Sequence, residues 1–344
     1  MTYYKLPYEK LYDLLDRVAA GQKLYVPTDR DGEAVFAAYA PGTQLTKKLN
    51  TNRSAKDFFF PQTENLYDIK LQGKQLTVED TREECEDFTV FGVRGSDARA
   101  FTILDKVFLS DPVDTYYKNR REHGTVVSLA CNRPEETCFC RAFGIDAGDP
   151  EGDATAWRIG DELYLAARTE KGEAFIASVR DLLEQTDGAM IESLKKAVAY
   201  IMDRLPLGQT SFEGMKQTDL MTHFKNEKWA ALSESCLGCG TCTFVCPTCQ
   251  CYDIREFDTG KGVKKFRCWD SCMYSDFTLM AHGNSRNSQL ERFRQRFMHK
   301  LVYFPDNNGG EFGCVGCGRC LAKCPIQTNI VKVEKALEVN GNAE

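Results

Sequence analysis

The sequence predicts an α+β protein whose C-terminal third is a metal-binding module, and three observations carry that expectation. Strand-like and helix-like patterns alternate through residues 1–172, as in an N-terminal α/β-type domain. Residues 173–230 are patterned as a helical connector. Residues 231–344 contain two cysteine runs of identical spacing, separated by an insertion over 248–312.

In order, Leu11, Leu14, Leu15 and Val18 recur at helical spacing, which predicts an amphipathic helix over 7–19. Short strands follow at 23–27 and 35–39. Phe58, Phe59 and Phe60 stand together, suiting either a subunit interface or a buried strand or turn, and burial is the plainer reading. FTVFGVR over 88–94 reads as a buried strand. Gly95, Ser96 and Asp97 then turn the chain into a helix carrying Phe101, Leu104, Val107 and Phe108, with Ser96 or Asp97 available as N-cap. GTVVSLAC at 124–131 and the segment 162–168 are further buried strands. Helices are expected over 175–185 and 189–205, the second with Ile191, Leu194, Val198, Ile201 and Leu205 on one stripe.

The chemistry lies in the runs. Cys236, Cys239, Cys242 and Cys246 precede Pro247, and Cys314, Cys317, Cys320 and Cys324 precede Pro325. Each is C-x2-C-x2-C-x3-C-P, the bacterial-type run that holds [4Fe–4S] clusters. Three close thiolates cap three irons of one cubane, and the distal Cys serves the other cluster. The expected sets are therefore Cys236, Cys239, Cys242 and Cys324 for one cluster, and Cys314, Cys317, Cys320 and Cys246 for the second. Gly238, Gly240, Gly316 and Gly318 leave room for backbone N–H groups near the sulfurs. Duplication of the full run argues against zinc and against disulfides.

Eight cysteines lie outside the runs. Cys131, Cys138 and Cys140 suggest a third iron–sulfur site, with Cys85, Ser96 or Asp97 as fourth ligand. The competing reading is three inert core thiols. Cys249, Cys251, Cys268 and Cys272 form a looser group that fits no common metal motif and ranks below the Cys131 group. Gln289–Val302 is helical in pattern, with Leu290, Phe293, Phe297 and Leu301 in register, which favours an α-helical ferredoxin arrangement. Arg286, Arg292, Arg294, Arg296 and Lys300 give it a basic face, whose plain reading is solvation. The functional reading is tuning of a cluster potential or docking of an acidic partner. His282 and His299 read as structural, and the tail after Lys335 as frayed.

Composition narrows the classes further. Hydrophobic content of 42% and charged content of 27% are those of an ordinary globular protein. No apolar run reaches membrane-span length, and MTYYKLPYEK lacks a secretion signal's apolar core, which predicts the cytoplasm. Sixteen cysteines in that reducing compartment read as metal ligands. A formal charge of −6 argues against nucleic acid. There is no G-x-G-x-x-G and no P-loop, so no nucleotide site is expected. No Ser–His–Asp, Cys–His or paired-carboxylate arrangement emerges, so an electron relay is favoured over substrate turnover by this chain alone.

The pattern Phe91-Gly-Val-Arg94 … Asp97, Leu104-Asp-Lys-Val-Phe-Leu109, Tyr116 … Arg120-Arg121, Cys131 … Cys138-Phe-Cys140 and Cys246-Pro-Thr-Cys249-Gln-Cys251 resembles a known family. Its members are the iron–sulfur electron-transfer subunits of anaerobic sulfite reductase and of NAD(P)-linked sulfhydrogenase, where it is the beta subunit. Related flavin oxidoreductase subunits linked to heterodisulfide reductase belong with them. The resemblance implies two [4Fe–4S] clusters and an anaerobic electron-transfer role in a multisubunit oxidoreductase. It also implies a flavoprotein partner carrying FAD and an NAD(P)H site, and a catalytic redox subunit of sulfite reductase, hydrogenase or heterodisulfide reductase type. Relatives often carry Cys where this chain has Ser96, which bears directly on the third site. The alternative is a catalytic iron–sulfur subunit that reduces a sulfur species or disulfide at an additional cluster.

Overall fold

The computed structural model describes residues 1–80, 82 and 85–337. An eight-stranded mixed sheet forms its larger layer. From edge to edge the strands are Glu184–Thr186, Tyr3–Pro7, Glu162–Ala167, Ala154–Ile159, Gly124–Leu129, Phe88–Val93, Lys23–Arg30 and Glu33–Ala38. The four central strands Ala154–Ile159, Gly124–Leu129, Phe88–Val93 and Lys23–Arg30 run parallel, and the outer pairings are antiparallel. Phe88–Val93 is buried at all six positions, which is why its sequence is apolar without alternation.

Both faces of this sheet are covered. On one, Leu11, Leu14, Leu15 and Val18 of helix Leu11–Gly21 pack with Phe175 and Ile176 of helix Glu170–Ser178. On the other, helix Gly95–Phe108 sets Phe101, Leu104 and Phe108 against Phe59 and Phe60, so the triple-Phe segment is interior. The helix begins after Arg94 with no side-chain cap; Ser96 and Asp97 fall inside its first turn instead of at the N-cap. The expected helix over 175–185 breaks after Ser178, and Glu184–Thr186 becomes an edge strand beside Tyr3–Pro7.

The second sheet unites distant parts of the chain. Hairpin Thr63–Gln72/Gln75–Asp80 pairs antiparallel with hairpin Tyr252–Asp258/Gly262–Trp269, which lies between the two cysteine runs. Neither hairpin is among the elements expected above, although Tyr67, Ile69 and Leu71 and then Leu76 and Val78 alternate with polar residues; the strands Gln75–Asp80 and Tyr252–Asp258 stay exposed. A buried ion pair ties them: Arg267 Nη2 lies 2.6 Å from Glu64 Oε2, and Arg120 Nε lies 2.8 Å from Glu64 Oε1.

The segment between the runs therefore begins as a β-hairpin and ends as a helix. Helix Gln289–Met298 opens on a capping box of Ser288 and Glu291 and widens into a π-helical turn over His299–Tyr303. Phe293, Phe297 and Leu301 face a core with Trp229, Ile330, Val333 and Leu337. Of the tail, Ile330–Leu337 is helical, and 338–344 lie outside the described residues. Among the described residues no helix is long and apolar enough to cross a membrane.

Candidate iron–sulfur centre

The two runs fold alike. In each, two glycines adopt left-handed backbone: Gly238 and Gly240 at φ 65° and 73°, Gly316 and Gly318 at 59° and 77°. Each second glycine leads into a one-turn helix, Thr241–Phe244 or Arg319–Lys323. These turns gather the three closely spaced cysteines of each run.

Cys236, Cys239 and Cys242 line one cavity, and the cysteine that completes it is Cys324 of the other run. Met273, Phe293 and Phe297 supply apolar wall, and Arg296 the charged part. Cys314, Cys317 and Cys320 are each electrostatic neighbours of Cys246, the distal cysteine of the first run. Each distal cysteine thus stands beside cysteines of the other run, and Cys246 also neighbours Cys242 of its own. Cys242 and Cys320 also neighbour each other, so the two groups are adjacent. Sulfur contacts include Gln289 Nε2 donating to Cys236 Sγ at 3.4 Å and Thr248 Oγ1 at 3.2 Å from Cys246 Sγ.

The surroundings fit anionic clusters. Arg296 and Lys300 are 4% and 5% exposed, one helical turn apart on the helix behind the runs. Neither has an ion-pairing carboxylate among the described residues, and Arg296 Nε is buried without a hydrogen-bond partner. Burial opposes their charge, yet the sulfurs of Cys242 and Cys320 hold the Arg296 pKa above its usual range. Those of Cys246 and Cys249 do the same for Lys300. A buried, uncompensated cation is costly, and thiolate-ligated iron–sulfur clusters would supply the missing negative charge. Burial pushes the Cys242 thiol up to about 11 and the Cys314 thiol up to about 12. A coordinating metal would deprotonate them outright. Among the described residues no three Cys, His, Asp or Glu side chains stand close enough to grip a single ion. The runs suit a group that carries its own bridging atoms out to the thiolates.

Ser96, Cys131, Cys138 and Cys140 line a second enclosed cavity, whose wall also includes Gly316 and Cys317 of the second run. The three cysteines are buried, and an Asn50 hydrogen bond reaches Cys138. Asp97 does not join them: its carboxylate is bidentate with Arg319, at 2.5 and 2.7 Å, with both side chains buried. Cys85 sits in a different, polar cavity with Tyr116, Asn119 and Arg120. Ser96 is therefore the one proposed fourth ligand that shares this cavity. Of the looser group, Cys251 neighbours both Cys249 and Cys272, while Cys268 faces Arg255 and Asp253 on the exposed hairpin.

Sequence reading undervalued the cations. Arg296 and Lys300 flank Phe297 and Leu301 on the apolar side of their helix, so polar residues inside an apolar stripe were the available signal. Lys56, 2% exposed, gave none: the short helix Ala55–Phe58, capped by Ser54, carries it inward, where Nζ donates to Cys249 O at 2.8 Å. The plain reading of a solvated basic face fails for Arg296 and Lys300 and leaves Arg286, Arg292 and Arg294 at the half-buried margin.

Comparison with known proteins bears on the same region. Residues 235–328 match the family model of a 4Fe-4S dicluster domain. Over 337 residues the chain is 31% identical to Sulfhydrogenase 2 subunit beta of Pyrococcus furiosus, an alignment covering 97% of each chain. No solved structure matches.

Proposed function

We propose that this chain, which belongs to the iron–sulfur family of the sulfhydrogenase beta subunit, is an electron-transfer component of a multisubunit oxidoreductase. It relays electrons between a flavoprotein subunit carrying FAD and an NAD(P)H site and a catalytic subunit of hydrogenase, sulfite reductase or heterodisulfide reductase type. Cys236, Cys239, Cys242 and Cys324 hold one [4Fe–4S] cluster, and Cys314, Cys317, Cys320 and Cys246 the second. Each cluster, when bound, supplies one-electron exchange. The chain's own residues fix the thiolates, exclude water with Phe293 and Phe297, and balance charge with Arg296 and Lys300. The observation that carries the reading is the crossing of the distal cysteine Cys324 into the cavity of the first run. The reading extends to a third cluster at Cys131, Cys138 and Cys140 with Ser96 in the fourth position, adjacent to the second run.

The test is iron and acid-labile sulfide per chain on anaerobically purified protein, with EPR of the dithionite-reduced state. Two cubanes require about eight irons, and the third site brings the count to about twelve. Cys324→Ser separates crossed from uncrossed ligation. Under crossed ligation it perturbs the same EPR signal as Cys239→Ser. If it perturbs the Cys317→Ser signal instead, the ligand sets are wrong.

A further inference from the structure

A line of sulfurs leads away from the second cluster's ligand set. Cys249 neighbours Cys246, Cys251 neighbours Cys249, and Cys272 neighbours Cys251. Cys251 and Cys272 are 21 positions apart but meet because the hairpin Tyr252–Asp258/Gly262–Trp269 closes between them. Its ladder pairs Tyr252 with Trp269, and one step beyond, Asp270 N donates to Cys251 O at 3.0 Å. That register brings Cys272 beside Cys251 in the folded chain.

Two buried ammonium groups face this line. Lys300 Nζ donates to Thr248 Oγ1 at 2.7 Å and to Gly313 O at 3.0 Å. Lys56 Nζ donates to Cys249 O and stands 3.6 Å over the Trp269 ring. Neither has a carboxylate ion pair among the described residues. Cations beside a dithiol favour its thiolate, and stabilising the reduced form makes a disulfide a better electron acceptor. The Cys251 thiol is drawn down to about 7 mainly by the side chain and backbone N–H of Cys272, against burial, with smaller contributions from Lys300 and Lys56.

We propose that Cys251 and Cys272 form a redox-active dithiol/disulfide pair that stores two electrons beside the iron–sulfur relay. In the reductive direction the S–S bond of the Cys251–Cys272 disulfide breaks. It takes one electron from each of the two reduced [4Fe–4S] clusters and two protons from water; Cys251 is the less buried of the two thiols. Two thiols result, and both clusters are left oxidised. The reverse step forms the bond, releases two protons and returns one electron to each cluster. Cys249 bridges the pair to Cys246. The pair thus gives one-electron carriers a two-electron partner within the same chain, and the inference rests on the cluster-relay reading above.

The experiment uses the full chain, purified anaerobically. Samples poised with clusters oxidised and with clusters dithionite-reduced are acid-quenched, alkylated with N-ethylmaleimide and mapped by mass spectrometry. The expected result is a Cys251–Cys272 cross-link in the oxidised sample and two alkylated thiols in the reduced one, with Cys268 alkylated in both. A reductive titration should consume two electrons beyond those the EPR-visible clusters account for. Cys272→Ser should abolish that surplus while leaving iron content and cluster EPR unchanged. Absence of the cross-link, or loss of iron in Cys272→Ser, overturns the proposal, the latter because the thiols would then be metal ligands. If Cys272→Ser does not fold, the cross-link in the unaltered chain decides alone. A chain without cubane EPR signals would sink the relay reading by a separate observation.

Discussion

The two cysteine runs share a spacing, a pair of left-handed glycines and a one-turn helix, yet they occupy opposite environments. In the first, Cys239 is exposed and Leu237 is 67% exposed. In the second, Val315, at the position equivalent to Leu237, is 1% exposed. The cause is what packs on the glycines. Gly316 and Gly318 lie against the backbone of Thr137–Cys140, where an added Cβ would sit 2.5 Å from Phe139 O and from Thr137 O. Gly238 and Gly240 meet only the side chains of Gln289 and Tyr274. One run therefore lies at the surface, and its repeat lies inside, beside the Cys131 cavity. Burial of a cluster and hydrogen bonds to its sulfurs set its potential, so the two sites should differ in potential despite identical ligands.

The largest effect should come from breaking the packing that separates the runs. Gly316→Ala forces a side chain onto backbone that cannot yield and into a left-handed conformation, and should cost about 3 kcal/mol or more with loss of iron. Gly238→Ala, facing a movable glutamine side chain, should cost about 1 kcal/mol and keep its iron. Urea denaturation of the two variants side by side checks this, and equal losses would remove the distinction. Arg296→Met comes next. A unit charge about 6 Å away at an effective dielectric constant near 20 is worth about 3 kcal/mol, or about 100 mV. Redox titration followed by EPR should show the potentials falling by about that much, most for the cluster of Cys242.

A kinetic test sharpens the contrast without mutation. Iron release to an anaerobic chelator should be biphasic, with the Cys239 cluster lost first and the EPR signal of the buried cluster persisting; simultaneous loss would contradict the burial argument. The smallest effect is in the matched pair Val315→Ala and Leu237→Ala. The first removes buried methyl groups and should cost about 1–2 kcal/mol; the second should stay within about 0.5 kcal/mol. A thermal melt of each variant with its iron content matched to the unaltered chain measures the pair.

Much of this molecule is legible locally. Leu11, Leu14, Leu15 and Val18 mark a helix because a 3.6-residue period is written within one segment, and the six buried residues of Phe88–Val93 mark a central strand in the same way. The pairing of hairpin 63–80 with hairpin 252–269 escapes such reading, since it joins segments nearly two hundred residues apart, even though Tyr67, Ile69 and Leu71 alternate with polar residues. The site divides similarly. The eight run cysteines follow from spacing, whereas Lys56 beside Cys249 follows from nothing near it in the chain.

Ligand types, the turns that present them and the alternation of strand and helix are all written in the chain, because they depend on contacts a few residues apart. Which run faces solvent was settled by tertiary packing. The same packing buried Arg296 and Lys300, spent Asp97 on Arg319 instead of on the Cys131 cavity, and brought Cys251 to Cys272. Each of these depends on segments far apart in sequence closing on one another, and their charge and packing are settled only once water has been excluded between them.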